Sequence, residues 1–359
     1  MTPGTARPFR VGVSASFATD LPGLLEPALE EYFRPFPWVS YETYSDIPVT
    51  AAALARFDAA VGNEPRVTAG SFQGGVPTAA IARWGVGFDT IDVEACTEAD
   101  VLLAITRDAV RKPMAEAIVT LFLALAKRLH AKDGLVRSGQ WDLLTRTVGL
   151  GMSGRTVGSV GLGNIGAEMF RLLKPFDLGR ALAFDPYATP AGAAAVGVEL
   201  VGLETVFAES DFVAINCPLN GETRGLVRKK HFALMKPTAY FVNTARGAIV
   251  DEADLVEALA AGRIAGAGLD VFVEEPLPLH SPLVRMENVI LAPHGLGYTD
   301  DLVRGNGAGV CESVLAVLRG DVPPYVVNPA VIRRAGFQAK LAGFRQRWEA
   351  FAAEGSLRS

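Results

Sequence analysis

The 359-residue chain is long enough for two or three domains, and its composition, 50% hydrophobic and 20% charged, is that of an ordinary globular protein. Its net charge of −5, from 34 Lys and Arg against 39 Asp and Glu, provides no basic surface for nucleic acid or an anionic membrane. These numbers favour small-molecule chemistry and predict neither a nucleic-acid partner nor a membrane partner.

The cysteines and the N-terminal segment predict a reducing, cytoplasmic location. Cys96, Cys217 and Cys311 lie far apart without C-x-x-C spacing, so we expect neither a disulfide framework nor a structural zinc site. Residues 1–10 contain no apolar signal segment, and the longest apolar run, 117–126, is too short to span a bilayer. No other metal-ligand spacing occurs, so we expect no metal.

Strands and helices alternate between residues 10 and 105, which predicts a first parallel sheet. The strands are expected at 10–13, 38–44 and 59–62, and the helices at 21–33 and 51–57. Residues 81–92 close this sheet with a glycine turn that contains Val86 and Gly87. The backbone N–H groups of that turn could form an anion-binding nest or belong to a simple turn, and the residues alone favour neither.

A long amphipathic helix is predicted at 113–129, with a proline near its start, as a bridge between the two lobes. It is followed by a glycine-rich arm, 131–154, that contains Trp141. The chain ends in a further helix from Val331, whose apolar stripe is typical of packing surface.

The clearest alternation of strands and helices lies between residues 156 and 294 and predicts a doubly wound domain. The predicted strands are 156–161, 181–185, 212–216, 239–243, 265–271 and 288–292. A helix is expected at 251–261, because Asp251 is a suitable N-cap and Gly262 a suitable C-terminal stop.

The first of these strands runs into a G-x-G-x-x-G turn at the start of a helix. Gly161 permits the tight turn, Gly163 lets the backbone approach a pyrophosphate, and Gly166 allows the helix to pack closely on the strand. Asp185 ends the second strand nineteen residues after Gly166, where a carboxylate accepts hydrogen bonds from an adenosine ribose. A glycine turn alone is a weak signal, but strand, turn, helix and acid at this spacing predict dinucleotide binding.

Three further polar residues follow predicted strand ends, where ligands bind in open parallel sheets. They are Arg246, Glu275 beside Glu274, and His294. We therefore expect one arginine, one acid and one histidine at the nucleotide crevice. Each has an ordinary alternative: Arg246 could pair with Asp251 on the surface, Glu275 could be solvated, and His294 could be a satisfied polar residue outside the reaction.

In these motifs and their order, the sequence from about 83 to 329 resembles the D-isomer-specific 2-hydroxyacid dehydrogenase family, which includes 3-phosphoglycerate, D-lactate and formate dehydrogenases and glyoxylate/hydroxypyruvate reductases. The resemblance implies that His294 is the acid/base, Glu275 its partner, and Arg246 the residue that binds the substrate carboxylate and carbonyl. It implies an NAD site at Gly161, Gly163, Asn164, Ile165, Gly166, Asp185, Cys217, Thr244, Ala245, Arg246, Asp270 and His294.

The same resemblance implies a substrate site in which the backbone around Val86 and Gly87 completes the carboxylate clamp. The chain departs from the family after His294, where Tyr298 brings an aromatic ring close to the histidine, so we count it among the substrate-binding residues. The segment 216–218 lacks the histidine often found before its proline. The tail from Val331 is too short for a regulatory domain, which needs ~70 residues or more.

We predict two doubly wound parallel-sheet lobes, with a Rossmann NAD domain (106–297) inserted in a flavodoxin-like substrate lobe (1–105 and 298–359). The predicted activity is the NAD-dependent interconversion of a D-2-hydroxy acid and its 2-oxo acid. Asp185, with no Lys or Arg between Arg180 and Arg224, predicts NAD over NADP. The alternatives are an NAD(H)-sensing, co-repressor-like binding protein and a family member that uses formate or phosphite.

The sequence also predicts a homodimer. The predicted helix 113–129 and the arm behind it expose more apolar surface than one subunit easily covers, and the resemblance implies that this region forms a two-fold interface. Trp141 would then extend toward the active site of the partner.

Overall fold

The computed structural model describes residues 7–45 and 47–356. The chain divides into two compact units, Met1–Val110 with Asp300–Ser359, and Arg111–Thr299. Both changes of unit fall a few residues after the domain boundaries expected from the sequence, 105/106 and 297/298.

The β-strands that the structure describes belong to two sheets. In chain order they are β1 (Phe9–Ser14), β2 (Val39–Tyr44), β3 (Ala59–Gly62), β4 (Ala80–Arg83), β5 (Leu102–Ile105), β6 (Thr156–Val160), β7 (Arg180–Phe184), β8 (Glu199–Leu200), β9 (Phe212–Ile215), β10 (Tyr240–Asn243), β11 (Gly266–Leu269) and β12 (Val289–Leu291).

The α-helices that the structure describes lie between and around these strands. They are α1 (Ser16–Thr19), α2 (Glu26–Phe33), α3 (Ala51–Leu54), α4 (Val93–Glu98), α5 (Arg107–Ala126), α6 (Leu129–Arg137), α7 (Asn164–Leu173), α8 (Pro190–Ala195), α9 (Leu203–Glu209), α10 (Lys229–Leu234), α11 (Glu252–Ala260), α12 (Asp300–Leu318) and α13 (Ala335–Ser356). Among the described residues, no helix combines the length and the apolarity needed to cross a membrane.

The first unit is built on a five-stranded parallel sheet in the order β2-β1-β3-β4-β5. This is the flavodoxin-like order, which confirms the predicted class of this lobe. Strands β3 and β4 are buried at every residue because helices cover both faces of the sheet, as parallel sheets require.

The C-terminal helix α13 is part of the core of the first unit. The predicted apolar stripe, which includes Phe337, Leu341 and Phe344, packs in the cluster that contains Phe9. On the same helix, the Lys340 ammonium donates to the carbonyl oxygens of three residues, Thr78, Ala99 and Asp100, at 2.9, 3.2 and 3.0 Å. The tail therefore serves as packing surface, as its apolar stripe predicts.

The second unit holds a seven-stranded parallel sheet in the order β12-β11-β10-β9-β6-β7-β8. Counted within the unit from β6, strands run 3-2-1-4-5-6 with a seventh at the far edge, which is the Rossmann order. The six strands predicted here are present with ends within two residues of those expected. Only the two-residue edge strand β8 was not predicted.

The predicted helix 113–129 is wrong at both ends. Helix α5 begins at Arg107, continues through Pro113 and ends at Ala126. A proline inside a helix removes one backbone hydrogen bond, but burial of Ile118 and Phe122 compensates, since packing of an apolar face supplies most helix stability. The arm that follows contains α6 and a short 3-10 helix, Trp141–Thr147, neither of which was predicted.

Candidate active site

Arg246, Glu275 and His294 follow three neighbouring strands of the second sheet. They lie just past the ends of β10, β11 and β12, which are adjacent in the order β12-β11-β10. Because parallel strands end at the same edge of a sheet, the loops that carry the three side chains meet at that edge.

His294 and Glu275 form a side-chain hydrogen bond, with 2.7 Å between imidazole Nδ1 and carboxylate Oε2. The other oxygen, Oε1, accepts from the backbone N–H of Phe272 at 2.8 Å. Burial raises the pKa of the Glu275 carboxyl, but the hydrogen bonds from His294 and Phe272 and the charges of His294 and Arg246 outweigh it, so the net pKa is lowered.

This pairing decides which imidazole nitrogen can exchange a proton with a ligand. An ionised carboxylate only accepts hydrogen bonds, so Nδ1 of His294 carries a hydrogen and donates it to Glu275. Nε2 is then the nitrogen left to act on a substrate. The side chain of His294 is 34% exposed, which leaves room for that contact.

The backbone of His294 is unusual, because its φ is +53°. The left-handed region costs a non-glycine residue ~1 kcal/mol or more, so neighbouring contacts must hold it. Asp270, after β11, provides them: its Oδ1 accepts from the N–H groups of Gly295 and Leu296 at 3.0 and 3.1 Å. Burial raises the pKa of Asp270, although these N–H groups oppose the rise.

The loop that carries Arg246 is fixed by Asn243, the last residue of β10. Asn243 is 2% exposed; its Nδ2 donates to the Arg246 carbonyl at 3.0 Å, and its Oδ1 accepts from the Ala245 N–H at 3.0 Å. A side chain at Gly247 would overlap the backbone of Phe272, so the Arg246 loop lies directly against the loop that leads to Glu275. Asn243 is not among the site residues predicted from the sequence; the pattern that could have indicated it is a polar residue at the end of a buried strand.

The glycine turn between β6 and α7 has the geometry expected of a nucleotide site. Gly161 has a φ of +100°, and a Cβ there would lie 2.6 Å from the Asn216 carbonyl carbon. A Cβ at Gly166 would lie 2.8 Å from the Gly161 oxygen, so the helix packs as closely as predicted. Both positions therefore require glycine.

Gly163 is the residue that leaves space for a ligand. A Cβ there would meet nothing within 4 Å, and Gly163 caps α7 without any side-chain hydrogen bond. The first turn of α7, which begins with Asn164 and Ile165, therefore offers the positive end of the helix dipole to a ligand, as a pyrophosphate requires. The fold and this turn fit a dinucleotide.

Asp185 follows β7 and is tied to the same turn. Its Oδ2 accepts from the Leu162 N–H at 2.8 Å, and its Oδ1 accepts from the N–H groups of Tyr187 and Ala188 at 2.8 and 3.2 Å. On the other side, Cys217 follows β9, and burial raises the pKa of its thiol to about 11, so it remains a neutral wall residue.

The remaining predicted residues divide between the two units. Thr244 and Ala245 precede Arg246 in the loop after β10. Tyr298 lies four residues after His294, and its backbone N–H donates to the Gly295 oxygen at 2.9 Å, which keeps its backbone close to the His294 loop. Val86 and Gly87 belong to the first unit, just past the end of β4. The described residues contain no cluster of three or more His, Cys, Asp or Glu that could hold a metal.

Known proteins with similar sequences belong to one family. A family model described as the NAD binding domain of D-isomer specific 2-hydroxyacid dehydrogenases matches residues 119–295. A glyoxylate reductase from Korarchaeum cryptofilum is 38% identical over 263 residues, which is 72% of this chain and 79% of that protein. A D-3-phosphoglycerate dehydrogenase from Methanocaldococcus jannaschii is 39% identical over 249 residues, 69% of this chain and 47% of that protein.

Solved structures share the fold at lower identity. The D-lactate dehydrogenase from Aquifex aeolicus, complexed with NAD and lactic acid, superposes with a TM-score of 0.78 at 23% identity. The match covers 89% of this chain and 99% of that chain, so both sheets have counterparts in it.

Proposed function

The chain belongs to the D-isomer specific 2-hydroxyacid dehydrogenase family, and we propose that it interconverts a D-2-hydroxy acid and its 2-oxo acid with His294 as the acid/base. Its cofactor is NAD. The observation that carries the proposal is the His294–Glu275 pair, 2.7 Å apart, on loops adjacent to that of Arg246.

The proposed roles follow from the charges that the reaction creates. When bound, NADH supplies the hydride that adds to the carbonyl carbon of the 2-oxo acid. Negative charge then develops on the carbonyl oxygen, and Nε2 of His294 delivers a proton to it. Glu275 balances the imidazolium before that transfer and keeps the ring oriented, so its lowered pKa supports its role as the partner.

Arg246 is the proposed ligand of the substrate carboxylate, because a guanidinium binds a carboxylate through two parallel hydrogen bonds. Val86 and Gly87 are proposed as further ligands. Their backbone N–H groups donate to no other residue in the part of the chain that the structure describes, as an anion-binding turn requires. Tyr298 remains a proposed contact of the substrate side chain.

The test is NADH consumption by the purified protein with a panel of 2-oxo acids. Glyoxylate is the first choice, because a relative that is 38% identical is a glyoxylate reductase; hydroxypyruvate, pyruvate and 3-phosphohydroxypyruvate complete the panel. We expect turnover of at least one. NADH binding without turnover of any would instead support an NAD(H)-sensing protein.

We also propose that the chain forms a homodimer through its arm. None of the residues of α6 is buried, and α6 and the arm together expose large apolar side chains, among them Leu129, Trp141 and Val148, which are 59, 68 and 77% exposed. Exposed apolar patches of this kind are typical of subunit interfaces. Light scattering should therefore give twice the chain mass of 38.0 kDa; a monomer at micromolar concentration would reject the dimer and the approach of Trp141 to a partner's site.

A reducing, cytoplasmic location is part of the same proposal. Cys96, Cys217 and Cys311 are all free thiols, and two of them are buried, which suits a compartment where disulfides do not form.

A further inference from the structure

Two loops beside the glycine turn are joined by one side-chain hydrogen bond. Strand β6 lies between β7 and β9, and its last residue, Val160, pairs with Phe184 on one side and Ile215 on the other. Tyr187 follows β7 and Glu222 follows β9, and the Tyr187 hydroxyl donates to Glu222 Oε2 at 2.8 Å. The bond therefore connects the loops on either side of the strand that leads into the nucleotide turn.

The same hydrogen bond holds the Glu222 carboxylate at the phenol of Tyr187, a residue two positions after Asp185. The hydrogen bond from Tyr187 to Glu222 and the Glu222 charge raise the pKa of the phenol, with smaller contributions from burial and from the charge of Asp185. The phenol of Tyr187 thus lies in the field of both carboxylates. Tyr187 is 78% exposed, so Tyr187 and Glu222 together form an outer, solvent-facing wall beside Asp185.

Few donors remain at this wall for an added phosphate. The backbone N–H groups of Tyr187 and Ala188 already donate to Asp185. No Lys or Arg occurs between Arg180 and Arg224 in the sequence. Arg224, exposed and two residues after Glu222, is the only basic side chain of its loop before Val227.

We propose that Glu222, held in place by Tyr187, is a second residue that selects NAD over NADP by repelling the 2′-phosphate. The inference rests on the proposed placement of the adenosine ribose at Asp185. In this proposal Asp185 would accept from the ribose hydroxyls, whereas Glu222 would act only on the extra phosphate. Because Glu222 is at the surface, where water and salt screen charges, we expect its effect to be about 3- to 10-fold.

The experiment measures binding, so it does not depend on the substrate. Dissociation constants of NADH and NADPH, and of 5′-AMP and adenosine 2′,5′-bisphosphate, are measured at low salt for the full chain and three variants. Glu222→Gln should tighten the two ligands with a 2′-phosphate about 3- to 10-fold and change the other two less than about twofold. Tyr187→Phe keeps the charge of Glu222 but frees its side chain, so its effect should be smaller.

The matched control is Glu257→Gln. Glu257 is an exposed carboxylate that pairs with Lys229 at 2.6 Å between α10 and α11, so the variant removes the same charge elsewhere in the same unit. Its ratio of NADPH to NADH affinity should equal that of the parent. Sensitivity to salt is a further check: raising the ionic strength should shrink the difference between Glu222→Gln and the parent.

The possible results distinguish a failure of the role proposed for Glu222 from a failure of the proposed cofactor site. If Glu222→Gln has the same affinity ratio as Glu257→Gln while NADH still binds, the role of Glu222 is overturned and the cofactor site stands. If Glu222→Gln weakens all four ligands equally, Glu222 supports the loop only, and the inference also fails. If the parent binds no dinucleotide, the proposed function itself fails.

Discussion

In the second sheet the residues just past the strand ends carry charged or ionisable side chains, whereas in the first sheet the corresponding turn offers backbone N–H groups. Arg246, Glu275 and His294 belong to the first kind, and Val86 and Gly87 to the second. Both arrangements suit an anionic substrate, but only the first can exchange protons, because a backbone N–H does not titrate near neutral pH.

The residues that hold these loops in place also differ between the two units. In the second unit, buried polar side chains hold the loops: Asn243 fixes the Arg246 loop and Asp270 fixes the backbone after His294. In the first unit, Gly85 takes a φ of +106°, its N–H donates to Thr106 Oγ1 at 2.7 Å, and the buried Arg83 side chain lies directly against it. We therefore expect the side-chain site of the second unit to be sensitive to substitution of the polar residues themselves, and the backbone turn of the first unit to substitutions that move the main chain.

The largest expected effect is on proton transfer. His294→Asn keeps a similar size and some hydrogen bonding but removes the proton donor, so turnover should fall ~10²–10⁴-fold with little change in NADH affinity. The measurement is steady-state kinetics with the best 2-oxo acid, beside NADH titration. His280→Asn, at an exposed position in a loop of the same unit, is the control. A loss below tenfold for His294→Asn would remove His294 from the role of acid/base.

The next effect is on the carboxylate ligand. Arg246→Lys keeps the charge but loses the two-pronged geometry, so kcat/KM should fall ~10–10²-fold, with both a raised KM and a lowered kcat. Arg263→Lys, exposed after α11, is the matched control and should be neutral. If only KM changes, Arg246 binds the ground-state carboxylate without stabilising the developing negative charge on the oxygen.

The difference between the two units also explains which features could be predicted from the sequence. Titratable side chains stand out by residue type, so the sequence alone proposes Arg246, Glu275, His294 and Asp185 as site residues. Strands β9 and β10 were predictable because their apolar runs are fully buried. Pairing of His294 with Glu275 instead of Glu274 was carried by the family resemblance, and the 2.7 Å contact supports it.

Other features depend on long-range contacts that a single sequence does not display. The carboxylate of Asp270 reaches residues 25 and 26 positions away, and Tyr187 reaches Glu222 across β6, so neither contact has a local pattern. Helix α5 begins six residues before its predicted start because tertiary packing outweighs the local effect of Pro113. For Val86 and Gly87 the residue types give no signal, since every residue except proline has an N–H.

A smaller effect is expected from the backbone of the first unit. A Cβ at Gly85 would overlap Arg83 Nη1 and favour a negative φ, so Gly85→Ala should displace the turn that holds Val86 and Gly87. KM for the 2-oxo acid should rise ~10-fold, the effect of weakening about one charge-assisted hydrogen bond, while NADH affinity stays unchanged.

The control for Gly85→Ala is Gly74→Ala, in the same unit. Gly74 also has a positive φ, +77°, but a Cβ there meets nothing within 4 Å, so the variant has the backbone strain without the displaced turn. Equal thermal destabilisation with unequal KM would assign the effect to the turn. Equal KM values in the two variants would show that the turn contributes no substrate ligand.

The smallest change in rate is expected for Glu275→Gln, which is also the sharpest test of how Glu275 acts on His294. Glutamine leaves the imidazole in place but removes the charge that favours the imidazolium, so the reduction rate should begin to fall at a lower pH than in the parent, with a loss of ~10-fold or less at neutral pH. The lowered pKa of Glu275 means that its carboxylate stays ionised until the pH falls below the ordinary range of a glutamate, so in the parent only the alkaline limb reports the pair. By the same linkage, the stability that Glu275 contributes is present above its unfolded pKa and is lost as the pH falls through the lower folded value, and the glutamine variant should lack that acid dependence.

Glu274→Gln, at the exposed neighbouring position, is the control for Glu275→Gln and should leave both the alkaline limb and the acid dependence of stability unchanged. If Glu274→Gln moves the alkaline limb and Glu275→Gln does not, then the 2.7 Å contact is not the one that governs the proton, and Glu274 takes the role of partner.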